Sequence, residues 1–150
     1  MDGNKRWAKN NNISLEEGYS EGIEKIKELV NVCIDFNIKY LTLYALSSDN
    51  VKRPSISIIF DILSNQYKKI LDELNFEKKV KIKIIGERTN MPKKITNILA
   101  NLENKSIDNK GLNLNIAFNY GTDKELLSII KNIINIYKIE KKIISNKIIN

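Results

Sequence analysis

The sequence predicts an α/β fold with a parallel sheet, organised as one domain of 150 residues. Two observations carry this. Three short apolar runs, at residues 40–46, 80–85 and 112–118, have strand length. Between them lie longer stretches whose apolar residues recur at helical spacing. Polar residues follow the first and third runs, Ser47-Ser48-Asp49-Asn50 and Asn119-Tyr120-Gly121. In open parallel sheets, ligands bind at that C-terminal strand edge.

The chain opens on Met1-Asp2-Gly3-Asn4-Lys5-Arg6-Trp7. Such a turn can hold a metal-bound polyphosphate. Asp2 can ligate Mg²⁺, Gly3 lets backbone amides come close, and Lys5 and Arg6 balance phosphate charge. Taken alone, an Asp-Gly-Asn run is usually a plain turn. Asn10 to Ser14 reads as a polar loop. Ser14 with Glu17 three residues on is a capping box opening a helix that runs to about Phe36. Ile23, Ile26, Val30, Cys33 and Ile34 form its buried stripe, and Gly18 and Gly22 imply close packing on the sheet. Tyr40 to Leu46 is the first strand.

Pro54 is expected to start a second helix, reaching about Asn75. Ile56, Ile59, Leu63, Tyr67, Ile70 and Leu74 make its apolar stripe, widened by Ile58, Ile62 and Leu71. Val80 to Ile85 alternates apolar and basic residues in its first half, as near a sheet edge. Gly86-Glu87-Arg88 is a surface turn. Met91 to about Ser106 reads as a polar amphipathic helix, Asn109-Lys110-Gly111 as a turn, and Leu112 to Phe118 as the third strand. Glu125 to Tyr137 is helical by pattern, and residues 130–150 are a monotonous Ile/Lys/Asn helical tail.

Composition narrows the chemistry. With 0 histidines, there are no His bases, catalytic triads or His-containing zinc sites. The single cysteine, Cys33, excludes an internal disulfide, suits a reducing compartment such as the cytoplasm, and sits on a core stripe. No run of apolar residues is long enough for a transmembrane helix, and the N-terminus is not that of a signal peptide. The net charge of +7 is spread along the chain and comes with no RNA-binding aromatic motif or zinc finger, so nucleic acid is not an expected partner. It suits a diphosphate substrate or an anionic membrane surface.

Three blocks, in order, carry a resemblance: Met1 to Trp7; Tyr44 to Pro54, reading Tyr-Ala-Leu-Ser-Ser-Asp-Asn-Val-Lys-Arg-Pro; and Leu112 to Gly121, reading Leu-Asn-Leu-Asn-Ile-Ala-Phe-Asn-Tyr-Gly. Together they resemble the cis-prenyltransferases, the undecaprenyl diphosphate synthase family, over residues 1 to about 125. The resemblance implies a three-layer fold with a mostly parallel sheet flanked by helices. It implies condensation of isopentenyl diphosphate with an allylic, farnesyl-type diphosphate, to a cis-polyprenyl diphosphate such as undecaprenyl diphosphate. Mg²⁺ is the implied cofactor and Asp2 its ligand, helping the allylic diphosphate leave. Gly3, Asn4, Lys5 and Arg6 would cradle that diphosphate, with Trp7 beside it. Asn50 would position the isoprenyl donor and aid its deprotonation, Arg53 would contact substrate, and Ser47 would sit beside the donor, within a block that also brings Ser48, Asp49 and Val51 to the substrate. The second long helix would help wall a hydrophobic tunnel for the lipid. A homodimer and peripheral membrane contact are also implied.

The chain departs from the family pattern at several positions. Tyr19 stands where the family has a His near the diphosphate, and Tyr cannot carry a cation at neutral pH. Leu46, Asp49 and Val51 replace Phe, Glu and Trp, and Thr122-Asp123 replaces Gly-Arg. The family's strand before the Met-Asp-Gly-Asn block has no counterpart, which leaves two unpaired sheet edges. Nothing after Asn119 matches the family's donor-binding Arg/Ser segment or its second metal-binding Glu. The fold is therefore expected to be incomplete, and the isolated chain to have little or no synthase activity. The alternative to an active transferase is a remnant or partner-dependent subunit of that family. A basic nucleic-acid-binding domain would explain the charge but none of the three blocks.

Overall fold

The computed structural model describes residues 3–74, 79–89 and 91–148. Its elements are α1 (Asn4–Asn10), α2 (Leu15–Asp35), β1 (Tyr40–Ser47), a 3₁₀ turn (Asn50–Lys52), α3 (Ile56–Leu74), β2 (Val80–Ile85), α4 (Lys93–Ser106), β3 (Leu112–Tyr120) and α5 (Thr122–Ile148). The predicted class holds: a parallel sheet flanked by helices. Strand order is β1-β3-β2, and both pairings are parallel.

β3 lies in the middle. Ile116 is opposite Leu43 of β1 and Ile84 of β2. The faces of the strands differ by alternation, since side chains point to opposite faces at successive residues. Leu43, Val80, Ile82, Ile84, Leu112, Leu114 and Phe118 face one core with Val30 and Cys33 of α2 and Ile95, Ile98, Leu99 and Leu102 of α4. α3 adds Ile56, Ile59, Phe60 and Leu63 to it. Cys33 is thus a core residue, as expected. The stripe members Tyr67, Ile70, Leu71 and Leu74 lie outside the described side chains. On the opposite face Tyr40, Thr42, Tyr44, Lys81 and Lys83 are exposed.

The two sheet edges are treated differently. α4 lies along β2 and supplies what a neighbouring strand would: the Ile82 N–H donates to Ser106 Oγ at 3.0 Å and the Ile84 N–H to Glu103 Oε1 at 2.8 Å. The Asn109 amide donates to the Val80 carbonyl at 2.8 Å. Among the described residues β1 and β2 are both edge strands, as expected, and side chains of α4 and of Asn109 bond part of the β2 edge. β1 pairs with β3 alone among the described residues.

α2 starts as its sequence dictates. Ser14 Oγ accepts from the Glu17 N–H at 3.1 Å, and Glu17 Oε2 accepts from the Ser14 N–H at 2.8 Å. α1 was not expected as a helix; residues 1–7 read as a turn. Tertiary packing makes it one. A Cβ at Gly18 would lie 2.7 Å from Ala8 Cβ and 3.1 Å from the Asn4 carbonyl oxygen, and one at Gly22 would lie 3.0 Å from Asn4 Oδ1. The two glycines therefore seat α1 on α2, rather than α2 on the sheet. α3 begins at Ile56, not Pro54, because the 3₁₀ turn intervenes and the Ile56 N–H closes back on the Arg53 carbonyl at 3.0 Å. α5 continues to Ile148, and every residue from 122 to 139 is exposed, nine of them large apolar residues.

Two outcomes follow from this packing. Gly18→Ala should destabilise the chain by about 1–3 kcal/mol through overpacking at α1. Adding Ala8→Gly should recover part of the loss, as read by urea denaturation. At the capping box, the backbone and then the hydroxyl of Ser14 hold the Glu17 carboxyl below its ordinary value. The box thus contributes fully above the ordinary carboxylate range and fades as pH falls through the lowered value. Glu17→Gln should flatten that acid limb of a stability–pH curve, whereas an unchanged limb would assign it to other carboxylates.

Candidate active site

The N-terminal block sits where α1 meets the start of α2. Because α2 returns to the beginning of β1, its first turns lie beside the C-terminal edge of the sheet. Asp2, the expected Mg²⁺ ligand, lies outside the described residues. Gly3 caps α1 at φ +111, a left-handed conformation that side chains rarely adopt, and its carbonyl accepts the Trp7 N–H at 2.8 Å. Asn4 is half-buried against Gly22. Lys5, Arg6 and Trp7 are exposed.

Beneath Asn4 runs a cavity of about 190 Å³. Asn4, Tyr19 and Gly22 line it beside Ile23 and Ile26 of α2, Leu43 of β1, and Ile59, Ile62 and Leu63 of α3. Leu99 and Leu102 of α4 and Ile116 and Phe118 of β3 complete the apolar wall. Apart from Asn4, Tyr19, Lys27 and Tyr44, its described lining is Gly, Ala, Leu, Ile and Phe. The structure thus brings together Asn4 and Tyr19, from two separate sequence segments, at one apolar recess. Leu99 and Leu102 were not singled out from sequence. They lie on a helix read as polar, although Ile95, Ile98, Leu99 and Leu102 recur at helical spacing and could have revealed the buried face.

The second block forms a compact turn at the exit of β1. Ser47 Oγ accepts the Asn50 N–H at 3.1 Å, and the Asn50 carbonyl accepts the Arg53 N–H at 3.1 Å. Asp49 pairs with Lys52 at 3.3 Å in solvent. Arg53 is exposed, and Val51 packs against the core. The Ser48 N–H donates to the Tyr120 carbonyl at 2.8 Å, and a Cβ on Gly121 would stand 2.6 Å from Ser48 Oγ. None of Ser47, Ser48, Asp49, Asn50, Val51 or Arg53 lines the apolar cavity.

The third block is the tie between strand exits. Asn119 adopts φ +53 and is buried. Its amide donates to the Glu87 carbonyl at 2.8 Å, while its own carbonyl accepts the Glu87 N–H at 3.3 Å. The Tyr120 carbonyl also accepts the Tyr44 hydroxyl at 3.0 Å, and the two rings meet edge to face. Sequence reasoning placed these residues at the strand edge without seeing that they join three turns.

A second, polar recess of about 470 Å³ opens at the exits of β2 and β3, between Glu87, Arg88 and Thr89 on one side and Tyr120, Lys124 and Glu125 on the other. Its cations are already paired. Lys124 pairs with Glu87 at 3.1 Å, Arg88 with Glu103, and the Tyr120 hydroxyl donates to Glu125. Hydrogen bonds from Thr89 and then Lys124 hold the Glu87 carboxyl below its ordinary range, and the Glu125 contact raises Tyr120. Among the described residues no group of three or more His, Cys, Asp or Glu is placed to hold a metal ion, and no helix is long and apolar enough to cross a membrane.

Comparison with known proteins agrees with this geometry. Residues 1–150 match the family model described as putative undecaprenyl diphosphate synthase. An isoprenyl transferase of Clostridium tetani is 39% identical over 145 residues, covering 95% of this chain and 55% of that protein. One from Clostridium acetobutylicum is 38% identical over 152 residues, covering 100% of this chain and 58% of its own length. The chain therefore spans somewhat more than half the length of these relatives. A crystal structure of a probable undecaprenyl diphosphate synthase from Campylobacter jejuni superposes with a TM-score of 0.68 at 28% identity, over 77% of this chain and 57% of that one. Lavandulyl diphosphate synthase from Lavandula x intermedia shares the fold with a TM-score of 0.84 at 24% identity, over 90% of this chain and 58% of that one. With residues 1–150 of the chain matched by the family model, this chain belongs to the undecaprenyl diphosphate synthase family of prenyltransferases.

Proposed function

We propose that the chain serves an isoprenyl transferase reaction in which isopentenyl diphosphate is condensed with an allylic diphosphate to a cis-polyprenyl diphosphate such as undecaprenyl diphosphate. The observation that carries this reading is the apolar cavity reached by both Asn4 and Tyr19. A prenyl diphosphate has the same division, a hydrocarbon tail and an anionic head. Gly3, Asn4, Lys5 and Arg6 cradle the allylic diphosphate, and Trp7 lies beside it. Tyr19 adds a neutral hydrogen bond at the cavity wall.

In the reaction, the donor double bond attacks the allylic C1, the allylic diphosphate departs with the bonding pair, and a proton leaves the donor C2. Ser47, Ser48, Asp49, Asn50, Val51 and Arg53 form the turn that orients the donor. Asn50 is an amide and a poor base, so its role is orientation and the proton passes to a diphosphate oxygen. Mg²⁺ fits the donor set in one respect: it takes one or two carboxylates together with phosphate oxygens and water, and Asp2 supplies a carboxylate. When bound, it offsets the charge that develops on the leaving diphosphate. A homodimer, a cytoplasmic setting and peripheral contact with an anionic membrane belong to the same proposal.

The exposed aliphatic run of α5 favours a second reading, a partner-dependent subunit or a remnant. Product formation from labelled isopentenyl diphosphate, an allylic diphosphate and Mg²⁺ separates the two. The transferase reading expects turnover that falls at least a hundredfold in Asp2→Ala. A folded chain giving no more product than Asp2→Ala would sink autonomous catalysis and leave the second reading.

A further inference from the structure

We infer that α5 is a membrane-surface helix, whose exposed aliphatic face lies in the headgroup boundary of an anionic lipid bilayer. The inference rests on the membrane contact included in the proposed function and assigns that contact a surface. Every residue from 122 to 139 is exposed, so no described part of the chain covers this stretch of the helix.

Successive residues of a helix are turned by about 100°, and on that rule residues 126–137 divide into two halves. Leu126, Ile130, Ile133 and Tyr137 run along the middle of one side. Leu127 and Ile134 border them on one flank, and Ile129 and Ile136 on the other. Together they cover an arc of about 180°. Ser128, Lys131, Asn132 and Asn135, the remaining residues of the stretch, all fall in the opposite half. Ile139 and Glu140 reverse the pattern, so the apolar face is about 18 Å long.

The width of that face selects the partner. A two-stranded coiled coil buries a narrow seam and would leave the flanking aliphatics in water. A helix lying in a bilayer interface buries the whole apolar half and keeps the polar half wet. The charges agree. Lys124, Lys131 and Lys138 recur every seventh residue along the Leu127–Ile134 flank, where lysine stems lie on apolar surface and ammonium groups reach phosphate. Lys124 is held by Glu87 at 3.1 Å. Lys131 and Lys138, both exposed, are the headgroup contacts. Residues 122–148 carry six lysines against three carboxylates, and each basic residue near anionic lipid adds to binding. No described helix is long and apolar enough to cross a membrane, and the polar half of α5 agrees with lying on one.

Flotation of the full chain with vesicles tests this, using phosphatidylcholine alone and phosphatidylcholine with about one-third phosphatidylglycerol. The chain should bind the anionic vesicles roughly tenfold tighter than the neutral ones. Ile130→Asp with Ile133→Asp should lose roughly tenfold or more of that binding, and Lys131→Glu with Lys138→Glu about tenfold. All four positions are exposed, and a urea melt confirms that each variant folds. Binding that survives the aspartates is adsorption of the chain's net charge of +7 and overturns the inference. So does an absence of vesicle binding. Turnover in the transferase assay is a separate readout, so the two readings fail separately.

A fluorophore reports the face directly. Ile133→Cys and Asn135→Cys each take a polarity-sensitive label, while Cys33, at 3% exposed, stays unlabelled. The label at 133 should shift to the blue on anionic vesicles and the label at 135 should not. Equal behaviour at the two positions overturns the inference. A blue shift at 133 that grows with protein concentration and needs no lipid also overturns it, and makes a second copy of the chain the occupant of the face.

Discussion

Everything in the sheet hangs on β3. β1 and β2 hydrogen-bond to it and not to each other, so no strand pairing survives without it. Its interior position is written in its side chains: Leu112 and Leu114 are buried on the helix-covered face, and Ala117 is buried on the other. The same strand ends in Asn119-Tyr120-Gly121, which hydrogen-bonds or packs against the turns leaving both neighbours. Packing of the central strand and positioning of the candidate site are therefore one constraint. A shift of β3 along its axis would move the Ser48 turn and the Glu87 turn together.

The sequence announced the elements whose signals are local. The three strands were legible as short apolar runs, and the capping box at Ser14 and Glu17 is seen atom for atom. α1 was not legible, because seven residues make a helix too short to stand alone in water. It exists where Ala8 and Asn4 meet Gly18 and Gly22, and that contact joins segments well apart in sequence. The closing of the β2 edge was hidden for the same reason. Ser106 and Glu103 look like surface residues of a polar helix until the helix is laid beside unpaired N–H groups. Of the candidate site, motif order gave the residues, but which of them share a recess was a matter of tertiary packing. Asn4 and Tyr19 do, and the Ser47–Arg53 turn stands apart from that recess.

α4 shows how one helix meets two demands. Its Ile95, Ile98, Leu99 and Leu102 complete the core, and Leu99 and Leu102 also wall the cavity. Its Ser106 and Glu103 replace a missing strand neighbour, and Glu103 holds Arg88 as well. Unpaired edge N–H groups invite association with other strands, so this arrangement also protects β2. β1 lacks an equivalent among the described residues, and its Tyr40 to Ser47 segment carries no charged residue and no proline.

The same sheet edge produces two recesses of opposite character, and the faces of the sheet explain the difference. One lies under α2, α3 and α4, where alternation has placed Leu43, Ile116 and Phe118 against helix aliphatics, so it is apolar. The other lies at the exits of β2 and β3, where Glu87, Lys124, Arg88, Glu103, Tyr120 and Glu125 hydrogen-bond or pair, with three carboxylates to two cations. A set whose cations are already paired and outnumbered has no attractive field to offer a diphosphate, and a polar wall has nothing to offer a hydrocarbon. An isoprenyl substrate needs both an anion-binding end and a dry channel. In this chain the apolar recess is lined by Asn4 where α1 is pressed onto Gly18 and Gly22, so the polar N-terminal block and the aliphatic wall are neighbours through one helix contact.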